Sequence, residues 1–302
     1  MSLSSVELEQ ELANLFNKIP LLAERLLIEE LPGGITNRNL AVTTPARKYV
    51  VRISGKNSSL LNIDRRSEFE NSKIAAAMSI GAPIYEFRPD LGILIIGFVH
   101  GRTFASEDIS QNIGRVAQSV KQLHSSPKFD RDFNMFDVQK SYLKVVQDRE
   151  LHLPEEYLEY AEKFQAVRTA LNSKPVPLVA CNNDLLPANF IDGGDRLWLI
   201  DYEYAGNNDP AFELGNIWSE AMLADSKLEE LVNAYYGEGH PEALNRAWLQ
   251  AAVARYGWTL WGSIQASIST IDFDFIGWGA ERFEKAKAAF NSPRFEEALR
   301  GL

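Results

Sequence analysis

The chain has 302 residues, 45% hydrophobic and 24% charged, the balance of an ordinary soluble globular protein, and its length predicts two lobes rather than one core. A net charge of −10 and a pI near 5.1 exclude nucleic acid as the expected partner. The single cysteine, Cys181, excludes an intramolecular disulfide framework and fits a reducing compartment, and histidines at 100, 124, 152 and 240 show no metal-ligand spacing.

The first thirty residues carry acids among their leucines and lack a signal peptide's positive start and apolar core. The longest apolar runs, such as 91–99, hold about ten residues, enough for buried strands and too few to span a bilayer. The expected location is the cytoplasm, without membrane insertion. Leucine and isoleucine at helical spacing over 6–29, broken at Pro20, predict one or two short helices. A turn at 31–34 leads into two strand-like runs, 39–44 and 48–53, which read as a hairpin. Residues 64–80 read as a helix ending at Gly81-Ala82-Pro83, followed by strands near 84–87 and 92–97. From His100-Gly101 onward the pattern is long amphipathic helices: 106–125, 137–149, 154–172, 211–223, 226–236, 241–269 and 276–290. The expected fold is α+β and two-lobed, with a small β-rich N-terminal lobe over 1–98 and a larger, mainly helical C-terminal lobe over 99–302.

Residues 180–216 carry the densest chemistry. Asp184 and Asn189 sit five apart on a loop, a turn follows at Gly193-Gly194, and the apolar run 197–200 delivers Asp201 at its end. Phosphoryl transfer from ATP to a hydroxyl needs a carboxylate to orient and deprotonate the acceptor. It also needs an amide and a second carboxylate, both hard oxygen donors, to hold magnesium on the phosphates. Each piece alone also suits an ordinary turn or strand end; the ordered set points to a kinase. Cys181 reads as a small buried residue beside this loop, because no histidine lies near it in sequence. Asp209-Pro210 reads as the N-cap and first turn of a helix.

The segment 181–189, with Ile200-Asp201-Tyr202-Glu203-Tyr204 and Glu213-Leu214-Gly215-Asn216, resembles the choline/ethanolamine kinase family of the aminoglycoside-phosphotransferase and protein-kinase-like superfamily. So do Gly33-Gly34-Ile35-Thr36-Asn37, Tyr49-Val50-Val51-Arg52-Ile53, and Ile63-Asp64-Arg65-Arg66-Ser67-Glu68. The tryptophan-rich run 257–265, continuing to Phe273 and Trp278, points to the choline-type branch. The resemblance covers about 31–290 and implies a kinase-like fold with ATP between the lobes.

By this resemblance Asp184 is the catalytic base, or the group that aims the acceptor hydroxyl, and Asn189 and Asp201 ligate Mg2+. Arg52 would meet the ATP phosphates, held by Glu68. Gly33, Gly34 and Asn37 would form the turn over them. Phe98 and Val99, with His100, would connect the lobes beside the adenine, and Ile200 is counted with the nucleotide set. Asp209 would also brace the catalytic loop. Trp258, Trp261 and Trp278 would receive the acceptor's cationic head by cation–π attraction, with Phe273, Phe275 and Trp218 as further walls. Glu220 would balance the charge, and Glu203 would lie near metal or substrate. The implied partner is choline, ethanolamine or a similar amino alcohol, with thiamine, an aminoglycoside or methylthioribose as rival acceptors; a homodimer stays open. One departure stands out: the family has histidine two residues before the catalytic aspartate, and here Asn182 occupies that position. Intact Asp184, Asn189 and Asp201 predict that activity survives; the competing reading is a weakened nucleotide-binding module.

Overall fold

A computed structural model of the chain describes residues 5–55 and 57–302. Contacts divide it into two compact units, one from Met1–Gly55 and Pro83–Phe98, the other from Lys56–Ala82 and Val99–Leu302. In the first, helix α1 (Ser5–Phe16) and a 3-10 turn (Pro20–Leu22) precede strands β1 (Leu27–Leu31), β2 (Asn37–Thr43) and β3 (Lys48–Ser54). Strands β4 (Ile84–Arg88) and β5 (Ile93–Gly97) complete an antiparallel sheet of order β1-β2-β3-β5-β4. Alternate residues point to one face, so Leu40 and Val42, Tyr49 and Val51, and Ile93 and Ile95 bury together under Phe16, Ile19 and Leu22. The helical spacing over 6–29 holds only for α1. Residues 27–31 form an edge strand instead, because pairing from Leu27↔Thr43 to Leu31↔Asn39 gives their backbone groups partners. Tertiary pairing overrides a short local periodicity here.

The second unit opens with α2 (Arg65–Ala77), capped by Asp64, whose carboxylate accepts the Arg66 and Ser67 N–H groups at 2.9 and 3.0 Å. Next come β6 (Arg102–Thr103), α3 (Ser106–Gln111) and α4 (Ile113–His124). The single helix expected over 106–125 is thus two, divided at Asn112. After α5 (Met135–Asp148) and α6 (Ala161–Ser173) come four short strands, β7 (Val179–Cys181), β8 (Phe190–Asp192), β9 (Leu197–Leu199) and β10 (Gly206–Asn208). They form two small antiparallel sheets, β10-β7 and β6-β8-β9. Helices α7 (Pro210–Glu220), α8 (Asp225–Tyr236), α9 (Pro241–Ile268), α10 (Phe275–Phe290) and α11 (Pro293–Arg300) close the chain; the last was not predicted from the sequence. The 28-residue α9 is buried almost all round over 246–265, because α5, α7, α10 and α11 pack against it. Among the described residues, no helix is long and apolar enough to cross a membrane.

Candidate active site

Strand β7 ends at Cys181, and the loop after it is knitted by side-chain amides. Asn183 takes a left-handed conformation (φ +67°), and so does Asp201 at the end of β9 (φ +65°). Asparagine and aspartate tolerate this backbone better than other residues with a Cβ, and here side-chain hydrogen bonds fix it. Asn183 Nδ2 donates to the carbonyls of Cys181, Tyr204 and Gly206 at 3.0–3.3 Å, and its Oδ1 accepts from Asn208 at 2.9 Å. Asn182, fully buried, accepts the Asp184 N–H at 3.1 Å and donates to the carbonyls of Asp201 and Ile200 at 2.8 and 3.2 Å. Asn189 Nδ2 donates to Asp184 O at 2.7 Å, while Asn189 O accepts the Ile200 N–H at 3.0 Å. The loops carrying Asp184, Asn189 and Asp201 are thereby one hydrogen-bonded unit.

A carboxylate supports that unit from α7. Glu213, fully buried, accepts the N–H of Asn183 at 2.7 Å and of Asn182 at 3.3 Å. His124 at the end of α4 meets Glu213 through Nε2 at 2.7 Å and Tyr235 OH through Nδ1 at 2.7 Å. With Nε2–H donating to the carboxylate, Nδ1 is left to accept from the tyrosine. Asp209 caps α7 as expected, accepting the Ala211 N–H at 2.9 Å. Its other oxygen reaches Arg246 and Gln250 on α9, so the bracing of the loop assigned to Asp209 is done by Glu213. Space also brings a histidine to Cys181, with His124 Nε2 3.4 Å from its sulfur. Burial pushes the thiol well above its usual range, so the residue is not a nucleophile. His124, Cys181 and Glu213 lie together, but their hydrogen bonds to one another and to the loop leave them structural.

Burial pushes Asp184 well above the ordinary carboxylate range, reinforced by Asp201, Glu203 and Glu220, and the Arg282 cation opposes the shift. These five side chains therefore share one region. Glu203 is buried and pairs with Arg65 Nη1 at 3.1 Å; the same nitrogen meets Glu68 at 2.7 Å. Glu220 pairs with Arg282 on α10. The donor chemistry for a hard cation is present: the Asn189 amide gives its Nδ2 to Asp184 O, its oxygen is a hard donor, and Asp201 adds a carboxylate. This set fits Mg2+ and contains no soft ligand.

The aromatic residues divide. Trp258 and Trp261 share a face of α9 and are both 4% exposed. Tyr204 joins them, its ring 4.9 Å from Trp258 and its hydroxyl accepting from Trp261 Nε1 at 2.9 Å. Trp261 packs on Trp278 at 4.8 Å and Phe275 at 5.9 Å, and the exposed Phe273 packs on Phe275 at 4.8 Å. Partly exposed Trp278 carries the Arg282 guanidinium 3.3 Å from its ring centre. Trp218 is held separately: its indole N–H donates to Ala224 O at 3.1 Å, and Arg255 lies 4.9 Å over its face.

In the sheet unit, Gly33 has φ +95°, and a Cβ on Gly34 would strike Asn37 O, so both positions of the turn call for glycine. Asn37 starts β2 and is buried; Arg52 lies on β3, 7% exposed. Phe98 ends this unit, its N–H bonded to Lys48 O at 3.2 Å and its ring under Lys48 Nζ at 4.6 Å. Val99 and Ile200 belong to the helical unit and are partly buried. Sequence reasoning did not assign Glu213, His124, Arg65, Arg282 or Tyr204. A glutamate inside the apolar helix start of α7 was a usable signal for Glu213; nothing in local spacing marks His124.

The model of the choline/ethanolamine kinase family matches residues 28–235. A solved structure of a choline/ethanolamine kinase family protein from Mesorhizobium loti is 31% identical and superimposes with a TM-score of 0.84, covering 97% of this chain and 98% of that one. Protein LicA of Haemophilus influenzae is 26% identical over 210 residues, 67% of this chain and 61% of that protein, so the chain spans about three fifths of LicA's length. Ethanolamine kinase 2 of Mus musculus is 28% identical over 298 residues, 87% of this chain and 76% of that protein. With its α+β kinase-like fold and its ordered Asp184, Asn189 and Asp201, the chain belongs to the choline/ethanolamine kinase family.

Proposed function

We propose that the chain transfers the γ-phosphate of ATP to the hydroxyl of choline or ethanolamine. Family membership supports a small-molecule kinase with an alcohol acceptor, and relatives named for ethanolamine and for both amino alcohols match at similar identity. Asp184 orients the hydroxyl and takes its proton as the acceptor oxygen bonds to the γ-phosphorus and the bond to the ADP oxygen breaks. Asn189 and Asp201 would supply the oxygens for Mg2+, whose charge would offset that of the transferring group. Gly33, Gly34, Asn37 and Arg52 are assigned to the phosphates and Phe98, Val99 and Ile200 to the base. Glu68 and Glu203 act from behind through Arg65. Trp258, Trp261, Trp278 and Phe273 form the head-group wall, with Glu220 beside it and Trp218 further back. Trp278 already holds a cation on its face, the Arg282 guanidinium, which supports a wall built for positive charge.

The observation that carries this reading is the single hydrogen-bonded unit holding Asp184, Asn189 and Asp201. The test is ADP release with Mg-ATP and choline, ethanolamine, thiamine, methylthioribose or an aminoglycoside, for the wild type and Asp184→Ala. Turnover is expected with choline or ethanolamine, and a loss of about 1,000-fold in Asp184→Ala with ATP binding retained. Turnover with another acceptor alone would overturn the acceptor assignment. Silence with ATP still bound would overturn the enzyme reading in favour of a nucleotide-binding module.

A further inference from the structure

Asn182 lies where the loops that carry Asp184 and Asp201 meet. Asn182 is fully buried, and its carboxamide has one acceptor and two donors to place. The acceptor takes the N–H of Asp184 at 3.1 Å, an Asx-turn that encloses the left-handed Asn183. The donors reach the carbonyls of Asp201 at 2.8 Å and Ile200 at 3.2 Å, on the chain that turns left-handed at Asp201. Every hydrogen-bonding site of the side chain is thus spent on main chain, one on the Asp184 side and two on the Asp201 side.

We infer that Asn182 is a positioning residue that sets the placement of Asp184 relative to Asp201. The inference rests on the roles proposed above for those two aspartates. Three neutral bonds join the backbones from which both side chains project. The left-handed conformations at 183 and 201 are less favourable than the right-handed ones even for asparagine and aspartate, and the bonds from Asn182 hold the chain on either side of them. Asn183 grips the same stretch of chain further along, at Tyr204 and Gly206, but makes no bond at 200–201. Glu213 holds the loop from the α7 side and does not reach the Asp201 strand end either. Asn189 also spans the two, from Asp184 O to the Ile200 N–H, but only Asn182 does so with its side chain alone and reaches the carbonyl of Asp201 itself. Other side chains meet the demand worse. Aspartate has the same shape but no donor, and would set its oxygens against two carbonyls. Histidine has at most one donor and one acceptor while neutral, and fills the site with a larger ring.

The test compares Asn182→Asp, Asn182→Ala and Asn182→His with the wild type. Three readouts are needed: steady-state kinetics with Mg-ATP and the best acceptor, calorimetric ATP affinity with and without Mg2+, and the unfolding midpoint. A misplacement near 1 Å costs about 100-fold in rate, so Asn182→Asp is expected to lower kcat by about that factor while acceptor KM moves less than about 3-fold. The factor by which Mg2+ tightens ATP binding should fall about 10-fold, because Asp201 is displaced while the metal-free contacts remain. Asn182→Ala should lie between, and Asn182→His, with one donor restored, should recover to within about 10-fold of the wild-type kcat. If Asn182→Asp does not fold, the alanine and histidine variants give the same ordering. A folded alanine or aspartate variant with kcat within about 2-fold of wild type would overturn the inference, as would lost kcat with unchanged Mg2+ dependence. A histidine variant faster than wild type by orders of magnitude would overturn it too. If the wild type turned over no acceptor, the proposed function would fail on its own, and the Mg2+ dependence of ATP affinity would still decide the role of Asn182.

Discussion

Replacing Glu213 by alanine removes the carboxylate that supports the loop before Asp184 from α7. It accepts the Asn183 N–H at 2.7 Å, the Asn182 N–H at 3.3 Å, and faces His124 Nε2 at 2.7 Å. A hydrogen bond to a charged group contributes about 1.5–3 kcal/mol, and a buried donor left without a partner loses its desolvation cost in full. The two short contacts dominate and the 3.3 Å one adds little. His124 keeps its bond to the Tyr235 hydroxyl through Nδ1, so only the Nε2 side loses its partner. The sum is about 4 kcal/mol, inside the range of about 3–5 kcal/mol for breaking a buried pair. For a chain of this size roughly 2 °C accompanies each kcal/mol, so the unfolding midpoint should fall by about 8 °C. Glu213→Gln keeps the shape and one acceptor oxygen for Asn183, and should cost less than about 2 kcal/mol. The assay is thermal unfolding of the three proteins, with kcat measured well below the lowest midpoint. A Glu213→Ala protein melting within about 2 °C of wild type would refute the account, and so would a glutamine variant as damaged as the alanine one.

Arg115 on α4 holds Asp192 by two parallel bonds of 2.8 and 2.9 Å, and these lower the Asp192 pKa to about 2. A carboxyl depressed in the folded state stabilises above its unfolded pKa, near 4, and loses that contribution as pH falls toward 2. Arg115→Ala should therefore differ from wild type most above pH 4, by no more than about 1 kcal/mol for so exposed a pair, and the two should converge near pH 2. Urea melts across that range read the difference, and a gap that widens on acidification would sink the argument. At Gly215 a Cβ would strike Ala247 O and lie 3.0 Å from Ala251 N, both backbone atoms of α9. Gly215→Ala should lose about 2 kcal/mol despite alanine's better helix propensity; a variant as stable as wild type would show that α7 and α9 can separate at no cost.

The parts of the site that were legible in the sequence are those whose partners are close along the chain. Asp184, Asn189 and Asp201 fall within one loop, turn and strand, so their order is visible before any folding is known. The Asp209 cap on α7 and the tryptophan pair on one face of α9 follow from helical geometry in the same way. Periodicity failed where pairing decided the structure: residues 27–29 close a run of helical spacing and yet lie in a sheet, because β2 offers them hydrogen bonds. It failed also at Asn112, where one amphipathic pattern is shared by two helices.

The order of the motifs, and their resemblance to the choline/ethanolamine kinase family, pointed from the sequence to the family and to its α+β kinase-like fold, and nominated Asp184, Asn189 and Asp201 for phosphoryl chemistry. Covalent order suffices for that, because a loop of a few residues permits few arrangements. Only the tertiary structure decided what holds those groups. Glu213 reaches Asn183 across 30 residues and His124 across 89, Arg282 reaches Glu220 across 62, and Trp261 reaches Tyr204 across 57. The same holds for Asn182, whose amide meets Asp201 across 19 residues and whose neighbours no local pattern names. Such contacts exist because burial leaves each polar group only the partners that packing brings to it, and packing is a property of the whole chain.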